Sequence, residues 1–486
     1  MQPTERARRN LEKLDEIVEP ILRAARVPGA AIAVVSEGQT ICARGYGYCE
    51  VEHRSRVTPT TRYPIASTSK AFNATLLGML VDDGQLAWDA PVQDYLPGFQ
   101  LKDPLISGLV TTRDLVTMRT GLPRHDFVWT RSPITRSELV SSLRHLALCA
   151  GFRERFQYNN LTVTAAGHVA EVITGKSWES LIQERILAPL EMTDTGFSFP
   201  TVNHVTCSYH ENRLRELVLN RRFDTQVIAP AGGSIYSNVL DMARWIGFNL
   251  THGRVQRRPL IQPQTLAELH SPQIPARSDP SSPSPNACYA LGWFVDTYRG
   301  GTRIGHGGYI HDVGTDISLH PDDGIGIVAF VNFGSVGLTR ILTQHVIDLI
   351  KGFELGNGAE DKRADYERRV EEMRLRNATV RRIDNTSPSH PLNDYEGEYR
   401  EPAYGSITIH RTEQGLTFQR GDLILPLEHW HYDSWVATES DLFLIMIPHA
   451  FDRTSRLVFE IDADGKIAAV SIGLEPAVAP IRFLKQ

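Results

Sequence analysis

The sequence of 486 residues lacks a run of residues long and apolar enough to span a bilayer, and its first twenty residues lack the apolar core of a signal peptide. It also lacks an excess of basic residues, since 51 Lys and Arg stand against 57 Asp and Glu and the net charge is −6. This balance excludes the basic surface that nucleic acids and anionic membranes require. We therefore predict a cytoplasmic protein with no membrane and no nucleic-acid partner.

Cysteine is scarce and scattered, with five residues and no CxxC spacing. Such a set predicts reduced thiols rather than a disulfide framework, and a catalytic cysteine is the less favoured alternative. The chain also lacks a GxSxG turn, an HExxH helix, a phosphate-binding loop and a dinucleotide-binding fingerprint, so we predict neither a metal nor a cofactor. The cysteines are Cys42, Cys49, Cys149, Cys207 and Cys288.

The sequence does contain a serine and a lysine three positions apart, in Ser67-Thr68-Ser69-Lys70. On a helix, residues i and i+3 share a face, so the Lys70 amine can reach the Ser67 hydroxyl. A hydroxyl beside an amine is the minimal equipment of an activated serine nucleophile. The alternative is a solvated lysine on a surface helix, and the presence of partner motifs decides between the two.

Two partner motifs follow later in the chain. Tyr158-Asn159-Asn160 places a phenol and a carboxamide just ahead of a helical run over 161–174. The alternatives are a structural tyrosine and a helix cap at Asn160. His306-Gly307-Gly308 lies in a strand-like segment, where the glycines allow another backbone to approach closely.

The order SxxK, YxN and HxG resembles the signature of the penicillin-recognising serine hydrolases. More narrowly, the chain resembles the branch that contains class C β-lactamases, D-alanyl-D-alanine carboxypeptidases, D-aminopeptidases and related esterases and acyltransferases. The resemblance covers roughly residues 20 to 350. It includes further landmarks of the family, namely Thr120-Gly121-Leu122-Pro123, Pro189-Leu190-Glu191-Met192, Ala231-Gly232-Gly233 and Leu291-Gly292-Trp293.

The resemblance implies an α+β fold, in which a β-lactamase/transpeptidase-like antiparallel sheet is flanked by helices and a helical insertion separates its first and last strands. Hydrophobic patterning alone predicts a mixed α and β protein. It predicts strands at 30–35, 40–45, 302–306, 313–319 and 325–332, and helices at 11–26, 67–83, 137–149, 161–174, 178–187 and 338–351.

Changes in residue composition and hydrophobic patterning along the sequence divide the chain into a catalytic domain over 1–355, a charged linker over 356–390 and a C-terminal domain over 391–486. Within the first domain, residues 272–286 are rich in Pro and Ser and are predicted to form an exposed loop. In the last domain, short alternating strands separated by turns predict a small antiparallel β-barrel. The predicted barrel strands are 406–410, 416–419, 423–427, 442–447, 457–461 and 468–472.

The segments Tyr395-Glu396-Gly397-Glu398-Tyr399 and Tyr404-Gly405 resemble the lipocalin-like domain that some members of this hydrolase family carry. From this resemblance we expect the barrel to cover or narrow the mouth of the active site.

Acyl transfer from a serine requires a base that removes the hydroxyl proton and a proton donor for the leaving group. Lys70 and Tyr158 are the candidates. A cationic Lys70 would lower the pKa of the Tyr158 phenol and favour its phenolate, whereas a desolvated, neutral Lys70 would itself act as the base. The sequence leaves both schemes open.

The family resemblance implies the remaining roles. It assigns the oxyanion hole to the backbone N–H groups of Ser67 and Tyr309, donors that are fixed before charge develops on the carbonyl oxygen. Gly307 and Gly308 would let the substrate backbone lie along their strand. Asn160 would hydrogen-bond the active-site lysine and an amide of the substrate.

His306 differs from the lysine that many β-lactam-binding relatives have at this position. With a reference pKa near 6.5, histidine is mostly neutral at cytoplasmic pH and does not supply the permanent cation that suits the carboxylate of a β-lactam. We therefore expect a peptide, amide or ester substrate rather than penicillin, with D-residues as the choice that the family suggests.

Three functions stay open. The first is a hydrolase that passes a Ser67 acyl group to water, and the second is an acyltransferase of a natural-product pathway that passes it to an alcohol or amine in a drier pocket. The third is a non-catalytic binding or assembly protein, which the intact set of motifs disfavours. The predicted partners are a small-molecule or short-peptide substrate and, as an open alternative, further copies of the chain in a homo-oligomer.

Overall fold

The structure is a computed structural model of the chain. It describes residues 3–197, 205–211, 216–220, 225–256, 258–276, 286–333, 337–356, 360, 364, 367–368, 371–372, 375, 379–437 and 456–486.

Among the described residues, nine strands form an antiparallel sheet at the centre of the catalytic domain. They are β1 (Gly29–Ser36), β2 (Gln39–Glu50), β3 (Ser55–Arg56), β10 (Ile274–Pro275), β11 (Cys288–Tyr289), β12 (Phe294–Tyr298), β13 (Gly301–Ile310), β14 (Val313–His320) and β15 (Ile325–Val331). Their order is β10-β11-β12-β13-β14-β15-β1-β2-β3, so the first strand of the chain lies beside the last strand of the domain. The β-lactamase/transpeptidase-like sheet implied by the family resemblance is thereby confirmed.

Strand β1 shows why the sheet is covered on both faces. All of its residues are buried, and consecutive side chains point to opposite faces. The even-numbered residues from Ala30 to Val34 pack into a core with helices from the two ends of the domain. The odd-numbered residues from Ala31 to Val35 belong to a larger core on the other face. The sheet is therefore the middle layer of three.

Helices cover both faces of the sheet and fill the insertion between β3 and β10. They are α1 (Pro3–Leu11), α2 (Leu14–Ala24), α3 (Ser69–Asp82), α4 (Pro104–Ser107), α5 (Thr112–Val116), α6 (Arg136–Ser142), α7 (Asn160–Thr174), α8 (Trp178–Ile182), α9 (Val239–Leu250), α10 (Pro263–Leu269) and α11 (Leu338–Lys351). Short strands pair as β4 (Tyr63–Pro64) with β7 (Tyr236–Ser237), β5 (Tyr209–Glu211) with β6 (Leu217–Leu219), and β8 (Arg254–Val255) with β9 (Arg258–Pro259).

Two helix predictions were wrong in extent. The predicted helix over 11–26 corresponds to the shorter α2, which covers Leu14–Ala24, whereas Leu11 is the last residue of the separate helix α1. The predicted helix over 137–149 ends at Ser142 and continues only as a 3₁₀ turn to His145, after which Leu146 is extended. Residues beyond this helix still face the core, so their apolar spacing continues the helical pattern after the helix has ended.

The predicted C-terminal barrel is confirmed as a closed antiparallel barrel in which the last strand pairs with the first. Its described strands are β16 (Gly397–Glu401), β17 (Gly405–Thr412), β18 (Gly415–Arg420), β19 (Leu423–His431), β20 (Ser434–Ala437), β21 (Leu457–Ile461), β22 (Ile467–Ile472) and β23 (Ile481–Lys485). Strands β16, β20 and β23 were not predicted from the sequence. The strand predicted at 442–447 lies outside the described residues.

The prediction of an exposed loop over 272–286 was wrong at its start, because Ile274–Pro275 is strand β10 of the sheet and Ile274 and Ala276 are buried. Residues 277–285 lie outside the described residues. Most residues of the predicted linker between positions 357 and 378 lie outside them as well. Where the chain is described again, Arg382 donates from Nε to the carbonyl of Trp430 at 2.7 Å, so this segment is attached to the barrel. Searched over the described residues, the structure contains no helix of the length and apolarity that a membrane crossing needs.

Candidate active site

Ser67 lies in a 3₁₀ turn over Ala66–Thr68, directly before α3. The preceding residue, Ala66, has a φ of +49°, in the left-handed region that a residue with a Cβ seldom occupies. After this sharp change of direction Ser67 is partly exposed, whereas Thr68 and Lys70 are buried. The residue that carries the hydroxyl is therefore partly open to solvent, although the helix behind it is in the core.

Lys70 lies one turn further along, and only 1% of its surface is exposed. Its Nζ lies 3.3 Å from Oγ of Ser67, 2.8 Å from Oδ1 of Asn160 and 2.5 Å from the carbonyl oxygen of Ala231. Burial lowers the pKa of Lys70 well below the usual value for an amine, and the charge of Arg124 acts in the same direction. The environment therefore favours the neutral amine.

A neutral amine matches these three contacts. It has two N–H donors and one lone pair, and both the amide oxygen of Asn160 and the carbonyl oxygen of Ala231 can only accept. In the neutral amine these acceptors use the two N–H groups and the lone pair faces the hydroxyl of Ser67, whereas a lysine cation would donate to all three oxygens. Burial is what favours the neutral form. In this state Lys70 can accept the serine proton.

Tyr158 is the second group at the hydroxyl of Ser67, with which its phenol is hydrogen-bonded. The centroid of its ring lies 4.6 Å from Nζ of Lys70 and 5.1 Å from Cζ of Arg124. Burial raises the pKa of Tyr158 to about 12, although the hydrogen bond with Ser67 and the charge of Arg124 oppose the shift. The phenol therefore keeps its proton at neutral pH, which favours Lys70 over Tyr158 as the base.

Helix α7 brings Asn160 to the lysine. The N-cap of this helix is Asn159, whose side chain accepts from the backbone N–H of Thr162 at 2.9 Å, so its neighbour takes the cap role considered for Asn160. Asn160 donates from Nδ2 to Oδ1 of Asp126 at 3.0 Å. Because a carboxylate only accepts, this contact assigns the amide with its oxygen towards Lys70.

Two residues of this arrangement, Arg124 and Asp126, were not predicted from the sequence. Arg124 donates from Nε to Oδ2 of Asp126 at 2.7 Å, and 52% of its side chain is exposed. No spacing in the sequence links either residue to Ser67 or Asn160. Their position directly after the Thr120–Pro123 landmark is the one signal that pointed to them.

The predicted substrate-binding segment 306–309 lies on β13, beside the nucleophile turn. A Cβ at Gly308 would lie 2.3 Å from Oγ1 of Thr315 and 2.7 Å from the carbonyl oxygen of Ile65, so glycine is required for this close approach. The neighbouring Gly307 is exposed, and a Cβ there would have no neighbour closer than 3.6 Å. The accessible backbone of this segment therefore borders the turn that carries Ser67.

His306 is 1% exposed, and both of its ring nitrogens have partners inside the protein. Nδ1 lies 2.6 Å from the carbonyl oxygen of Gly307, and Nε2 lies 3.2 Å from the hydroxyl of Tyr289. Since a carbonyl only accepts, Nδ1 carries the proton and Nε2 accepts from the phenol. Burial lowers the pKa of His306 to about 3, with Lys70 acting in the same direction, so the imidazole is neutral at physiological pH.

The structure thus brings together Ser67, Lys70, Tyr158 and Asn160 from separate stretches of the chain. The hydroxyl of Tyr309 donates to Oδ1 of Asp312 at 2.5 Å, while the oxyanion role of its backbone N–H remains a prediction from the family resemblance. Within the ranges that the structure describes, no group of three or more His, Cys, Asp or Glu side chains is arranged to hold a metal ion.

Two family models match the chain. The beta-lactamase model matches residues 14–348, and the model of a domain of unknown function (DUF3471) matches residues 381–484. Among solved structures, the chain is similar to the octameric penicillin-binding protein homologue from Pyrococcus abyssi, with a TM-score of 0.63 and 21% identity over 98% of this chain and 100% of that one. It is also similar to SurE, with a TM-score of 0.58 and 17% identity over 98% and 99% of the two chains.

The chain is also similar in sequence to a protein named as a hydrolase. The chain is 28% identical over 494 residues to unguisins hydrolase ungD' of Aspergillus campestris, which covers 95% of this chain and 89% of the relative. It is 26% identical over 345 residues to protein flp of Staphylococcus aureus, which covers 69% of this chain and 65% of that relative. Since the beta-lactamase model matches more than half of its residues, the chain belongs to the beta-lactamase family of penicillin-recognising serine hydrolases.

Proposed function

We propose that the protein hydrolyses ester, amide or peptide substrates through an acyl-enzyme on Ser67, with neutral Lys70 as the base of acylation. One observation carries the proposal: Nζ of Lys70 is buried, its three hydrogen-bond partners are uncharged, and one of them is the hydroxyl of Ser67, so the interior favours the neutral amine beside the nucleophile. This set fits an amine whose lone pair faces the nucleophile.

In acylation, Oγ of Ser67 attacks the carbonyl carbon of the substrate and its proton passes to Nζ of Lys70. The carbonyl oxygen becomes an oxyanion, for which the backbone N–H groups of Ser67 and Tyr309 are the proposed donors. When the tetrahedral intermediate collapses, the bond to the leaving group breaks and the leaving group takes up a proton. Tyr158, protonated and hydrogen-bonded to Ser67, is the proposed relay between Lys70 and that group.

Deacylation repeats the same steps with water as the nucleophile. Lys70, neutral again after the leaving group has departed, takes a proton from water, and the hydroxide attacks the acyl carbon. Collapse of the second intermediate releases the carboxylic acid and returns the proton to Ser67. An acyltransferase would use an alcohol or amine in place of water. The name of the relative from Aspergillus campestris, an unguisins hydrolase, supports hydrolysis.

His306 and Arg124 bear on the substrate class. A buried, neutral His306 does not offer the permanent cation that suits a β-lactam carboxylate. Arg124 does carry a permanent charge near Tyr158, but Asp126 already engages it. We therefore propose a substrate that does not depend on a carboxylate beside its reacting carbonyl group, with peptides that contain D-residues as the first class to examine.

The test combines a chromogenic ester with direct detection of the intermediate. With p-nitrophenyl acetate, we expect a burst of p-nitrophenol equal to the concentration of active sites, and an acetyl group on the peptide that contains Ser67 in mass spectra of quenched samples. Ser67→Ala should abolish both signals. A full burst in Ser67→Ala would refute the assignment of the nucleophile.

A panel of L- and D-aminoacyl p-nitroanilides and a chromogenic cephalosporin then measures the substrate class. We expect turnover of aminoacyl amides to exceed turnover of the cephalosporin. Added alcohol or amine acceptors measure the competing outcome. If most of the acyl group went to the acceptor at millimolar concentrations, the proposal of hydrolysis would give way to acyl transfer.

A further inference from the structure

The loop over residues 124–131, here called the 124–131 loop, faces the active site on one side and the C-terminal barrel on the other. On the active-site side, Asp126 receives the hydrogen bond from Asn160, and the guanidinium of Arg124 lies 5.1 Å from the ring centroid of Tyr158. The position of this loop therefore determines whether Asn160 presents its oxygen to Lys70.

On the barrel side, His125 is the first point of attachment. Its backbone N–H donates to Oε2 of Glu475 at 2.9 Å, and its buried ring has Nε2 at 2.9 Å from the carbonyl oxygen of Ala147 and Nδ1 at 2.7 Å from the hydroxyl of Tyr404. Since the carbonyl only accepts, Nε2 carries the proton and Nδ1 accepts from Tyr404. The phenol and the carboxylate of the barrel thus hold both the side chain and the backbone of His125.

The backbone of His125 has a φ of +47°, a conformation disfavoured for a residue with a Cβ. Such a conformation persists when surrounding contacts determine it. The contacts to Tyr404 and Glu475 are of this kind, and the next residue along the chain is Asp126.

Arg420 of β18 is the second point of attachment. This arginine is buried, and its guanidinium donates from Nε to the carbonyl of Thr130 at 3.1 Å and from an Nη to the carbonyl of Val128 at 3.0 Å. The carbon atom Cζ of the guanidinium lies 4.2 Å from the ring centroid of Phe127. Its neighbour Gly421 packs so closely on the carbonyl of Arg131 that a Cβ there would lie 2.6 Å from that oxygen. The barrel therefore holds the loop along its whole length.

We propose that the barrel is a positioning element of the active site. Through Tyr404, Glu475 and Arg420 it fixes the 124–131 loop, which places Asp126 against Asn160 and so aligns Lys70 with Ser67. This inference rests on the proposed function. It differs from a barrel that only covers the mouth of the site, because here the barrel acts on the orientation of the base and not on access of the substrate.

The experiment uses the full chain and p-nitrophenyl acetate. Tyr404→Phe removes the hydroxyl bound to His125, Glu475→Leu removes the acceptor of its N–H, and Glu475→Gln keeps an oxygen acceptor. Tyr399→Phe is the matched control, since its buried hydroxyl donates to the carbonyl of Tyr395 at 2.7 Å within the barrel. Stopped-flow absorbance gives the burst amplitude, which counts competent sites, and the acylation rate constant of each site.

We expect Tyr404→Phe and Glu475→Leu to slow acylation by about tenfold or more, since small misplacements of catalytic groups have effects of this size. The burst amplitude should be unchanged, and Glu475→Gln and Tyr399→Phe should acylate within about twofold of the unmodified protein. A purely structural role would lower the amplitude, by unfolding a fraction of the molecules, and leave the rate constant of the remaining sites intact.

The proposal is overturned if Tyr404→Phe acylates within about twofold of the unmodified protein, or if Tyr399→Phe slows acylation equally. Should Glu475→Leu fail to fold, Tyr404→Phe decides alone, because it removes a single oxygen atom. Failure of the proposed function gives a different result. The burst would then persist in Ser67→Ala and the positioning role would be refuted with it, whereas failure of this inference alone leaves Ser67→Ala inactive.

Discussion

Nδ2 of Asn160 donates to Oδ1 of Asp126 across 3.0 Å, and this contact determines which end of the amide faces Lys70. An amide has a donor end and an acceptor end of nearly equal size. A carboxylate at Asp126 binds the donor end and leaves the acceptor for the lysine. The negative charge thus acts on the base through the orientation of an amide, in addition to its direct effect on the pKa of Lys70.

This relationship predicts the effect of Asp126→Asn. An amide at position 126 can offer either an oxygen or an NH₂ group, so Asn160 is free to turn and direct its own NH₂ group at Lys70. We expect kcat/KM for p-nitrophenyl acetate to fall by about 10- to 100-fold, the size of effect produced by small errors in the placement of catalytic groups.

Asp241→Asn is the control for this change, because Asp241 is a buried carboxylate of the same domain that accepts from Thr195 at 2.8 Å. It should lower the melting temperature without a comparable loss of kcat/KM. Equal activity losses in the two variants would show that the effect of Asp126→Asn is general destabilisation.

The identity of the base predicts a difference between Lys70→Arg and Tyr158→Phe. A guanidinium keeps its proton, so Lys70→Arg cannot accept the proton of Ser67 and should lower the acylation rate constant by about 100-fold or more. Tyr158→Phe removes only the proposed proton relay. With p-nitrophenyl acetate, whose leaving group needs no proton, it should lower the rate by about tenfold or less.

The comparison is made by stopped-flow measurement of the burst. The reverse order, with Tyr158→Phe inactive and Lys70→Arg active, would establish the tyrosine as the base. A larger effect of Tyr158→Phe on an aminoacyl anilide than on the ester would support the relay, because an anilide leaving group must be protonated.

The pH dependence of acylation follows from the direction of the pKa shift at Lys70. The active form is the neutral amine, so kcat/KM should rise with pH through the pKa of Lys70, which burial places well below the usual value for lysine. The pKa of Tyr158, raised to about 12, should leave the upper part of the profile flat. If kcat/KM instead decreased as the pH was raised from neutral to about 9, with no loss of structure, this assignment would be contradicted.

Arg124→Gln should move the rising limb to higher pH. The charge of Arg124 lowers the pKa of Lys70, and Asp126 raises it, so removal of the arginine shifts the balance towards the protonated amine. The measurement is kcat/KM as a function of pH for both proteins. Arg244→Gln is the matched control, since Arg244 forms an exposed ion pair with Glu191 and should leave the profile unchanged.

Periodicity predicted the five longest strands of the catalytic domain, which are β1, β2, β13, β14 and β15, and it missed the shorter strands β3 to β12. Strands β1 and β15 were recognisable as apolar runs because they are buried along their length. The order of the strands was available only through the family resemblance. The pairing of Ala30 with Val331 joins residues at opposite ends of the domain, and nothing in a local pattern encodes it. The predicted helix over 137–149 was too long, because the apolar spacing continues beyond Ser142, where the helix ends.

The site was predictable to the extent that its motifs are local. Ser67 and Lys70 are linked by helical spacing, whereas Asp126 and Arg124 act through contacts that only the folded chain creates. The contact of Lys70 with the carbonyl of Ala231 was not predicted, because every residue has a backbone carbonyl and the sequence does not mark which one binds the lysine. The attachment of the barrel to the 124–131 loop joins residues nearly 300 positions apart, such as Arg420 and Thr130, and has no sequence pattern.

Two adjacent glycines of β13 give the last prediction. A Cβ at Gly308 would lie 2.3 Å from Oγ1 of Thr315 and 2.7 Å from the carbonyl oxygen of Ile65, and the backbone atom cannot move aside without displacing the nucleophile turn. Gly308→Ala should therefore lower the free energy of unfolding by about 1–3 kcal/mol, as overpacking does, and lower kcat/KM as well.

Gly307→Ala is the control, because the nearest atom to its Cβ would be 3.6 Å away. Its free energy of unfolding in urea should stay within about 0.5 kcal/mol of the unmodified protein. Equal stability of the two variants would mean that β13 does not pack closely against the turn before Ser67. The inference that this close contact aligns segment 306–309 with the nucleophile would then be wrong.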